Sequence, residues 1–293
     1  MLSETRRNEL YLPNAAIPDA VEVTADFAAA ADAEVFVAAT PLVYLRSTIE
    51  PLRSIWPKGS FVVHVMKGVE RETLKRPSEI LEELLAPRAV VALTGPSHAE
   101  ELAAGLPATV VAASKDVEAA GVVQQAFATD ALRIYRRRDI LGAELAGALK
   151  NVVAIAAGIC IGLKLGDNAL SALLTRGLAE MRRFGQAMGA EPGTFVGVAG
   201  IGDLVTTCVS PFGRNRMLGL RLAGGETYEQ VIASTTKVFE GVWTCRSIHE
   251  IAQRGGISMP ITAEVHAILF EGKSPRQAVR DLMARSLKDE DEG

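Results

Sequence analysis

The pattern of hydrophobic and polar positions changes once along the chain, near residue 140. Before that point, short apolar runs rich in β-branched residues alternate with amphipathic segments, which is typical of an open α/β sheet. Helical periodicity is found at 77–85 and 116–127. The runs that predict strands are VEVTAD from residue 21, AEVFVAAT from 33, SFVVHVMK from 60, AVVALTG from 89, ATVVAAS from 108 and LRIYR from 132.

After residue 140 the spacing of apolar positions predicts helices almost throughout. They are 142–163, 168–188, 228–234, 242–254, 261–270 and a last helix with Ser274 as N-cap and Pro275 as first residue, with a loop-rich stretch at 190–214. We therefore predict an α/β N-terminal domain at 1–138 and an all-α C-terminal domain at 139–293.

The most apolar predicted helix, GAELAGALKNVVAIAAGICIGL at 142–163, carries Lys150 in its middle. Its neighbours at helical spacing are Ala146, Gly147, Val153 and Ala154. Because none of them balances an ammonium charge, we expect another element to supply a counter-charge. The alternative is that Lys150 extends to the surface, as lysines near apolar surfaces often do.

Composition narrows the function classes. The chain has 31 Lys and Arg against 35 Asp and Glu, a net charge of −4, which supplies no basic field for nucleic acid or an anionic membrane. The cysteines, Cys160, Cys208 and Cys245, are widely spaced and form no CxxC pair, so we expect neither disulfides nor a metal site. The longest apolar run, 152–163, is shorter than the roughly 20 residues of a membrane span. We expect a cytoplasmic protein with no signal peptide.

Candidate chemistry lies in polar residues at predicted strand ends and among the helices. MKG at 66–68 and GPSHAEE at 95–101 each close a β run, where ligands of α/β sheets bind. The helical half adds Lys150-Asn151, GDLVTTC from 202 and GRNR from 213. Arginine binds phosphate oxygens, while carboxylates and amides orient hydroxyls, so a small hydroxylated phosphate is the expected ligand.

The same residues also suit purely structural roles. Asp203 is also suited to cap a helix, Lys67 to end a strand, and Arg214 and Arg216 to form a solvated face. A GxGxxG turn after a strand is absent from the sequence. GVAGIGDL at 197 follows no predicted strand, and we interpret it as a tight loop.

Four segments resemble the bacterial NAD(P)-dependent glycerol-3-phosphate dehydrogenases, in that family's order along essentially the whole chain. They are ELAGALKNVVAIAAGICIGLKLGDNALSALLTRGLAEM, GVAGIGDLVTTCVSPFGRNR, VFEGVWT and GPSHAEE. The resemblance implies a Rossmann-like domain followed by an all-helical substrate domain, with NAD or NADP as cofactor. It also implies reversible hydride transfer between the nicotinamide and carbon 2 of dihydroxyacetone phosphate, giving sn-glycerol 3-phosphate for phospholipid synthesis, in a cytoplasmic homodimer.

By this resemblance, Lys150 is the catalytic lysine that exchanges a proton with the oxygen on carbon 2, and Asp203 orients it. The substrate-binding residues that it implies are Lys67, Gly95, Ser97, Lys150, Asn151, Asp203, Thr207, Arg214 and Asn215. The cofactor-binding residues are Lys67, Ala99, Arg214, Val238 and Glu240. Gly213 stands where many members have serine, so a hydroxyl contact expected there is lost.

The chain departs from the family at its start. In the family, a strand, a GxGxxG-type turn, a helix and a second strand precede the segment that resembles RRNELYLP, where this chain begins. We expect this first βαβ element, roughly 30 to 40 residues, to be missing, which leaves neighbouring strands unpaired and the preference between NAD and NADP unreadable.

Three interpretations remain, of which the first is favoured. The start was assigned at an internal methionine of a longer enzyme. Alternatively, the chain is a truncated, inactive paralogue that binds a phosphate ligand or serves as a partner subunit. In the third, it is a related 3-hydroxy acid or 6-phosphogluconate dehydrogenase, two kinds of enzyme that share the α/β plus all-helical plan.

Overall fold

The computed structural model describes residues 2–57, 59–235, 238–287 and 289–290, with the side chains of 30–32 also outside the description. Two compact units make up the chain. One comprises Met1–Met66 with Ser78–Ile140, and the other comprises Lys67–Pro77 with Leu141–Gly293. The sequence pattern does not predict that Lys67–Pro77 groups with the second unit.

The first unit is built on an α/β sheet. Its strands are β1 (Arg7–Asn8), β2 (Leu12–Ala16), β3 (Val35–Ala38), β4 (Phe61–His64), β5 (Ala89–Thr94), β6 (Ala108–Ala113) and β7 (Leu132–Arg137). Its helices are α1 (Leu2–Thr5), α2 (Leu45–Ile49), α3 (Pro77–Leu85), α4 (Ala99–Ala103) and α5 (Val117–Phe127). Three 3₁₀ turns, Phe27–Asp32, Leu42–Tyr44 and Glu50–Leu52, lie between β2 and β4.

Five strands pair in the order β3-β4-β5-β6-β7, while β1 and β2 form a separate antiparallel pair. β3, β4 and β5 are parallel, β6 runs antiparallel to β5, and β7 is parallel to β6. Within the described part of the chain, β3 forms one edge of this sheet. Because β3, β4 and β5 are parallel, the chain leaves all three at the same edge, which is where α/β proteins place ligands.

The predicted strand VEVTAD is wrong. Residues 21–26 have no strand in the structure, and Val21 is 48% exposed. The backbone oxygens of Pro18 and Val21 accept hydrogen bonds from the guanidinium of Arg6, and the Val21 N–H bonds to Pro18. The alternation of polar and apolar residues predicted the strand. In the structure, the backbone groups of Pro18 and Val21 are instead satisfied by the Arg6 side chain and by a turn, and not by a neighbouring strand.

The second unit is helical. Its helices are α6 (Ile140–Gly162), α7 (Asp167–Ala187), α8 (Pro192–Phe195), α9 (Asp203–Val209), α10 (Arg214–Ala223), α11 (Tyr228–Ala233), α12 (Glu240–Arg254), α13 (Pro260–Phe270) and α14 (Pro275–Met283). The Ser274 hydroxyl accepts from the Gln277 N–H, which confirms the predicted N-cap of α14. The stretch predicted as loop-rich holds α8, a π-helical turn at Val198–Gly202 and α9, because short glycine-interrupted helices show little periodicity.

Helix α6 forms the centre of this unit and is mostly apolar, with Glu144, Lys150 and Asn151 as its buried polar residues. One face packs with Met181 and Phe184 of α7, and another with Leu218 and Leu222 of α10. By length and hydropathy α6 would pass as a membrane span, but 89% of its most apolar 18-residue window is buried. We therefore interpret it as the core helix of the unit.

Helices α6 and α10 cross with their backbones in contact. A Cβ added at Gly158 would lie 2.0 Å from the carbonyl oxygen of Arg216, and one at Gly219 would lie 2.0 Å from that of Ile155. Only glycine allows this approach. The contact fixes α10, whose first residues are candidate ligand-binding residues, against the helix that carries Lys150.

Candidate active site

The Lys150 ammonium is buried within the helical unit and donates hydrogen bonds to side chains of α9. Lys150 is only 5% exposed, so the interpretation that it extends to the surface is wrong. Its Nζ donates to Asp203 Oδ1 and, over 2.7 Å, to Thr207 Oγ1. Asp203 and Thr207 are four residues apart on α9, so both face the same side of that helix. Asp203 is the counter-charge that the sequence required.

A second lysine shares the same carboxylate. Lys67 Nζ donates to Asp203 Oδ2 over 2.6 Å, with the Lys67 side chain 18% exposed. Each oxygen of Asp203 therefore accepts from a different ammonium. Gly202 is the N-cap residue of α9, and both carboxylate oxygens of Asp203 bind lysines, so the interpretation of Asp203 as only a cap is wrong. Lys67 does more than end a strand, because it joins this ion-pair cluster.

Burial and charge together set the proton affinities of this cluster. Burial, followed by the repulsion of Lys67, lowers the pKa of Lys150 to about 7, although Asp203 opposes the shift. Burial acts to raise the pKa of Asp203, but Lys67 and Lys150 outweigh it and hold that pKa below its usual value. The result is an anionic carboxylate beside a lysine that gains and loses its proton near neutral pH.

The start of α10 lies beside the start of α12. Asn215 Oδ1 accepts a hydrogen bond from the Gly241 N–H over 3.2 Å. A Cβ on Gly241 would lie 2.7 Å from that same Oδ1 and 2.9 Å from the backbone oxygen of Asn151. The close approach explains why glycine follows Glu240, and it brings the predicted residues Asn151 and Asn215 to one place in the helical unit.

Three other predicted residues border this region. Glu240 is the first residue of α12, and burial raises its pKa against the attraction of Arg214, Lys67 and Lys150. Arg214 is exposed at the first position of α10, and Val238 is half-buried just before α12. Glu240 is thus the second carboxylate in the electrostatic neighbourhood of the two lysines.

Gly95, Ser97 and Ala99 lie in the α/β unit, between the end of β5 and the start of α4. Gly95 has φ of +144°, a conformation that favours glycine, and the Ser97 hydroxyl donates to the Gly95 oxygen over 3.1 Å. Ala99 is the first residue of α4. The hydroxyls of Thr94, at the end of β5, and of Thr40, just after β3, are buried without a hydrogen-bond partner among the described residues.

Sequence reasoning missed a second buried charge in α6. Glu144, whose side chain is 1% exposed, forms an ion pair with Arg76. It also missed the stacking of the Arg71 guanidinium 4.3 Å from the ring centroid of Trp243. A signal for the first was present, since Glu144 lies six residues before Lys150 in the same apolar run. The second has no signal in the sequence, because it depends on the tertiary fold.

The arrangement suits proton transfer to an oxygen. A lysine with a pKa of about 7 can act as general acid or base at neutral pH, and a second ammonium nearby stabilises negative charge on oxygen. An α/β unit whose parallel strands end at one edge of the sheet, together with a helical unit that carries such a lysine, indicates a dehydrogenase as the candidate class.

Family models match both units. The model described as "NAD-dependent glycerol-3-phosphate dehydrogenase N-terminus" matches residues 1–120, and the corresponding C-terminus model matches residues 139–280. The chain is 48% identical over 293 residues to glycerol-3-phosphate dehydrogenase [NAD(P)+] 1 of Salinibacter ruber, covering 99% of this chain and 86% of that relative. A Prosthecochloris aestuarii glycerol-3-phosphate dehydrogenase [NAD(P)+] is 46% identical, covering 99% and 88%.

Among solved structures, glycerol-3-phosphate dehydrogenase from Coxiella burnetii matches with a TM-score of 0.92 and 33% identity, over 97% of this chain and 87% of that one. The chain therefore belongs to the NAD-dependent glycerol-3-phosphate dehydrogenase family. The predicted family and the predicted fold class, an α/β Rossmann-like unit followed by helices, are confirmed. The interpretation as a 3-hydroxy acid or 6-phosphogluconate dehydrogenase is not favoured.

Proposed function

We propose that the chain is an NAD(P)-dependent glycerol-3-phosphate dehydrogenase that interconverts dihydroxyacetone phosphate and sn-glycerol 3-phosphate. The observation that carries the proposal is the buried cluster of Lys150, Asp203 and Lys67, in which Lys150 has a pKa of about 7. Family membership supplies the substrate pair and the cofactor class.

Two buried threonine hydroxyls of the α/β unit suit a polar bound cofactor. Thr40 and Thr94 leave buried hydroxyls without partners in the described part of the chain, at the ligand-binding edge of the sheet, where a bound molecule would satisfy them. Lys67, Ala99, Arg214, Val238 and Glu240 are the residues that we propose to hold the cofactor. When bound, the nicotinamide supplies or accepts the hydride at carbon 2 of the substrate.

In the direction of reduction, the residues of this chain manage the charge that builds on the carbonyl oxygen. Protonated Lys150 donates its proton to that oxygen, while the Lys67 ammonium stabilises the developing negative charge. Asp203 holds both ammoniums in place and Thr207 accepts from Lys150, which fixes the direction of its Nζ. In the direction of oxidation, neutral Lys150 takes the proton from the hydroxyl of glycerol 3-phosphate.

The remaining proposed residues bind and orient the substrate. Arg214 is placed at the N-terminus of α10, where its exposed guanidinium and the N–H groups of the helix suit a phosphate. Asn215 is buried and held by Gly241, and we assign it to a substrate hydroxyl. We also assign Asn151 of the helical unit, and Gly95 and Ser97 of the α/β unit, to substrate binding.

The test is the oxidation of NADH and NADPH by the purified chain with dihydroxyacetone phosphate, and separately with dihydroxyacetone and a 3-oxo acid. We expect turnover with the phosphate only and sn-glycerol 3-phosphate as product. Arg221→Gln, in the ion pair with Glu226 away from the proposed residues, is a control that keeps activity. A folded chain that binds glycerol 3-phosphate calorimetrically but oxidises no cofactor would instead support the ligand-binding paralogue.

We further propose that the protein is cytoplasmic, forms a homodimer and supplies glycerol 3-phosphate for phospholipid synthesis. The three cysteines are buried and free, which suits a reducing compartment. The dimer rests on the family resemblance alone. Sedimentation equilibrium of the purified chain tests it, with twice the mass of 31.1 kDa expected and a single-chain mass contradicting it.

A further inference from the structure

The segment Lys67–Pro77 belongs to the helical unit, although the residues on both sides of it belong to the α/β unit. The flanking residues on both sides, up to Met66 and from Ser78, belong to the α/β unit, whereas Lys67–Pro77 groups with the helices. This segment carries Lys67, one of the two ammoniums on Asp203. What holds the segment on the helical unit therefore decides where the Lys67 ammonium lies.

Apolar contacts and one stacking contact hold the middle of the segment. Val69 is 5% exposed and belongs to the core formed by α6, α7, α9 and α12, and Leu74 packs against that core. The Arg71 guanidinium lies over the ring of Trp243 on α12. Within the segment, the Glu70 N–H donates to the Lys75 oxygen over 2.8 Å and closes a turn.

The end of the segment is held by the ion pair of Arg76 with Glu144. The side chains are 16% and 1% exposed, so the pair is shielded from water, and a buried carboxylate needs such a partner. Glu144 precedes Lys150 by six residues on α6, about 9 Å along the helix axis. Helix α6 therefore binds the C-terminal end of the segment through Glu144. The same helix carries Lys150, whose pKa is lowered by Lys67 at the N-terminal end of the segment.

We propose that Arg76 and Glu144 are positioning residues of the reaction, because their ion pair fixes Lys67–Pro77 on α6 and so keeps the Lys67 ammonium against Asp203. The proposal rests on the proposed function for its catalytic meaning, but its geometric content concerns only the helical unit. Neither residue has been placed among those that contact substrate or cofactor.

The consequence is a link between the Arg76 and Glu144 pair and the proton affinity of Lys150. The charged or titratable groups that act on or around Lys150 are Lys67 from the segment, Asp203 and Cys208 from α9, and Glu240 from α12. Lys67 is the cation among them, and it lowers the pKa of Lys150. If the segment loosens, this repulsion weakens and Asp203 pairs with Lys150 alone, so the pKa of Lys150 rises.

The experiment titrates Lys150 directly in the full chain labelled with ¹³C at the lysine ε-carbons, its signal being assigned with Lys150→Arg. The variants are Arg76→Gln, Glu144→Gln and the double change Arg76→Met with Glu144→Leu, which leaves no unpaired buried charge. We expect the Lys150 midpoint to rise by about one pH unit or more. We also expect kcat for dihydroxyacetone phosphate reduction to fall about tenfold or more, because the displaced Lys67 ammonium no longer stabilises the charge that builds on the carbonyl oxygen, and this loss outweighs the larger protonated fraction of Lys150. Arg76→Lys, which keeps the charge, should restore most of both.

The control is Arg221→Gln, which removes an ion pair of the helical unit away from the segment and should move neither readout. A purely structural role would lower the amount of folded protein without moving the midpoint, so folded variants with an unchanged midpoint overturn the proposal. If the midpoint shifts while even the wild-type chain fails to reduce dihydroxyacetone phosphate, the positioning role stands and the proposed function fails. If the wild type turns over and the folded variants change in neither readout, the proposed function stands and the positioning role fails.

Discussion

Replacing Lys150 by methionine removes the titratable ammonium but keeps most of the length and the unbranched apolar stem of the side chain. The pKa of Lys150 is lowered from 10.5 to about 7, chiefly by burial and then by Lys67. A shift of about 3.5 units corresponds to about 5 kcal/mol against the charged form in the folded state. That free energy is comparable to the whole stability of many proteins.

The shift has a defined sign in the dependence of stability on pH. Between pH 7 and 10.5 the unfolded chain holds a proton on Lys150 that the folded chain has released, so the wild-type stability rises with pH in this window. Lys150→Met lacks this rise. Integrated from pH 7 to pH 9, the free energy of unfolding of the wild type should gain about 2 kcal/mol relative to the variant.

The assay is urea unfolding at both pH values and constant ionic strength, followed by tryptophan fluorescence. The chain has two tryptophans, and a Trp56→Phe background leaves Trp243 of α12 as the reporter of the helical unit. Lys115→Met is the matched control, since its ammonium is exposed in the α/β unit. If the wild type and Lys150→Met show parallel pH dependence, burial does not shift the proton affinity of Lys150 and the prediction is wrong.

Three further predictions concern other parts of the helical unit. Gly241→Ala should raise KM for dihydroxyacetone phosphate about tenfold in steady-state kinetics, because the new Cβ would displace Asn215 Oδ1, which lies 2.7 Å away. Burial raises the pKa of Glu180 to about 7, so the free energy of unfolding of the wild type falls as pH rises from 4.5 to 7. Glu180→Gln lacks this fall, and in urea unfolding its free energy of unfolding should gain about 3 kcal/mol relative to the wild type over the same pH range. Cys208 should resist iodoacetamide in the native chain and react fully in urea, as followed by mass spectrometry, because burial raises its pKa to about 12.

Each of these three predictions has a clear contradictory outcome. Unchanged KM in Gly241→Ala would show that Asn215 does not bind substrate or that α12 yields to the methyl group. Rapid alkylation of native Cys208 would show that α9 opens on the timescale of the reaction, which would also expose Asp203 on the same helix. For Glu180→Gln, a constant difference between variant and wild type across the pH range would argue against a raised pKa.

Much of the fold was predictable because the spacing of apolar residues indicates where the strands and the long helices lie. The strands at 89–94, 108–113 and 132–137 follow runs of β-branched residues, and the long helices α6 and α7 follow sustained apolar spacing. The wrong or missed predictions concern segments whose secondary structure is not determined by the local sequence pattern. VEVTAD alternates like a strand, yet the Arg6 guanidinium binds the carbonyls of Pro18 and Val21, and α8 and α9 are too short to show a period.

The sequence singled out the residues of the ion-pair cluster, but it did not predict how they are connected. Lys150 stood out because an unbalanced charge in an apolar helix needs a partner, and the family resemblance indicated Asp203, with which the structure pairs it. That one carboxylate serves both Lys150 and Lys67 depends on where residues 67–77 pack, which no local pattern encodes. The roles assigned to the individual substrate and cofactor residues remain predictions.

The most direct test of proton transfer by Lys150 is the pH dependence of kcat/KM in both reaction directions from pH 6.5 to 9.5, in the wild type and in Lys150→Met. Reduction of dihydroxyacetone phosphate should decline as pH rises above about 7, and oxidation of glycerol 3-phosphate should increase across the same region, because one direction needs protonated Lys150 and the other needs it neutral. Both activities should fall about 100-fold or more in Lys150→Met. Turnover that survives the substitution, or profiles that do not respond to pH in opposite senses, would contradict the assignment of Lys150 as the residue that transfers the proton.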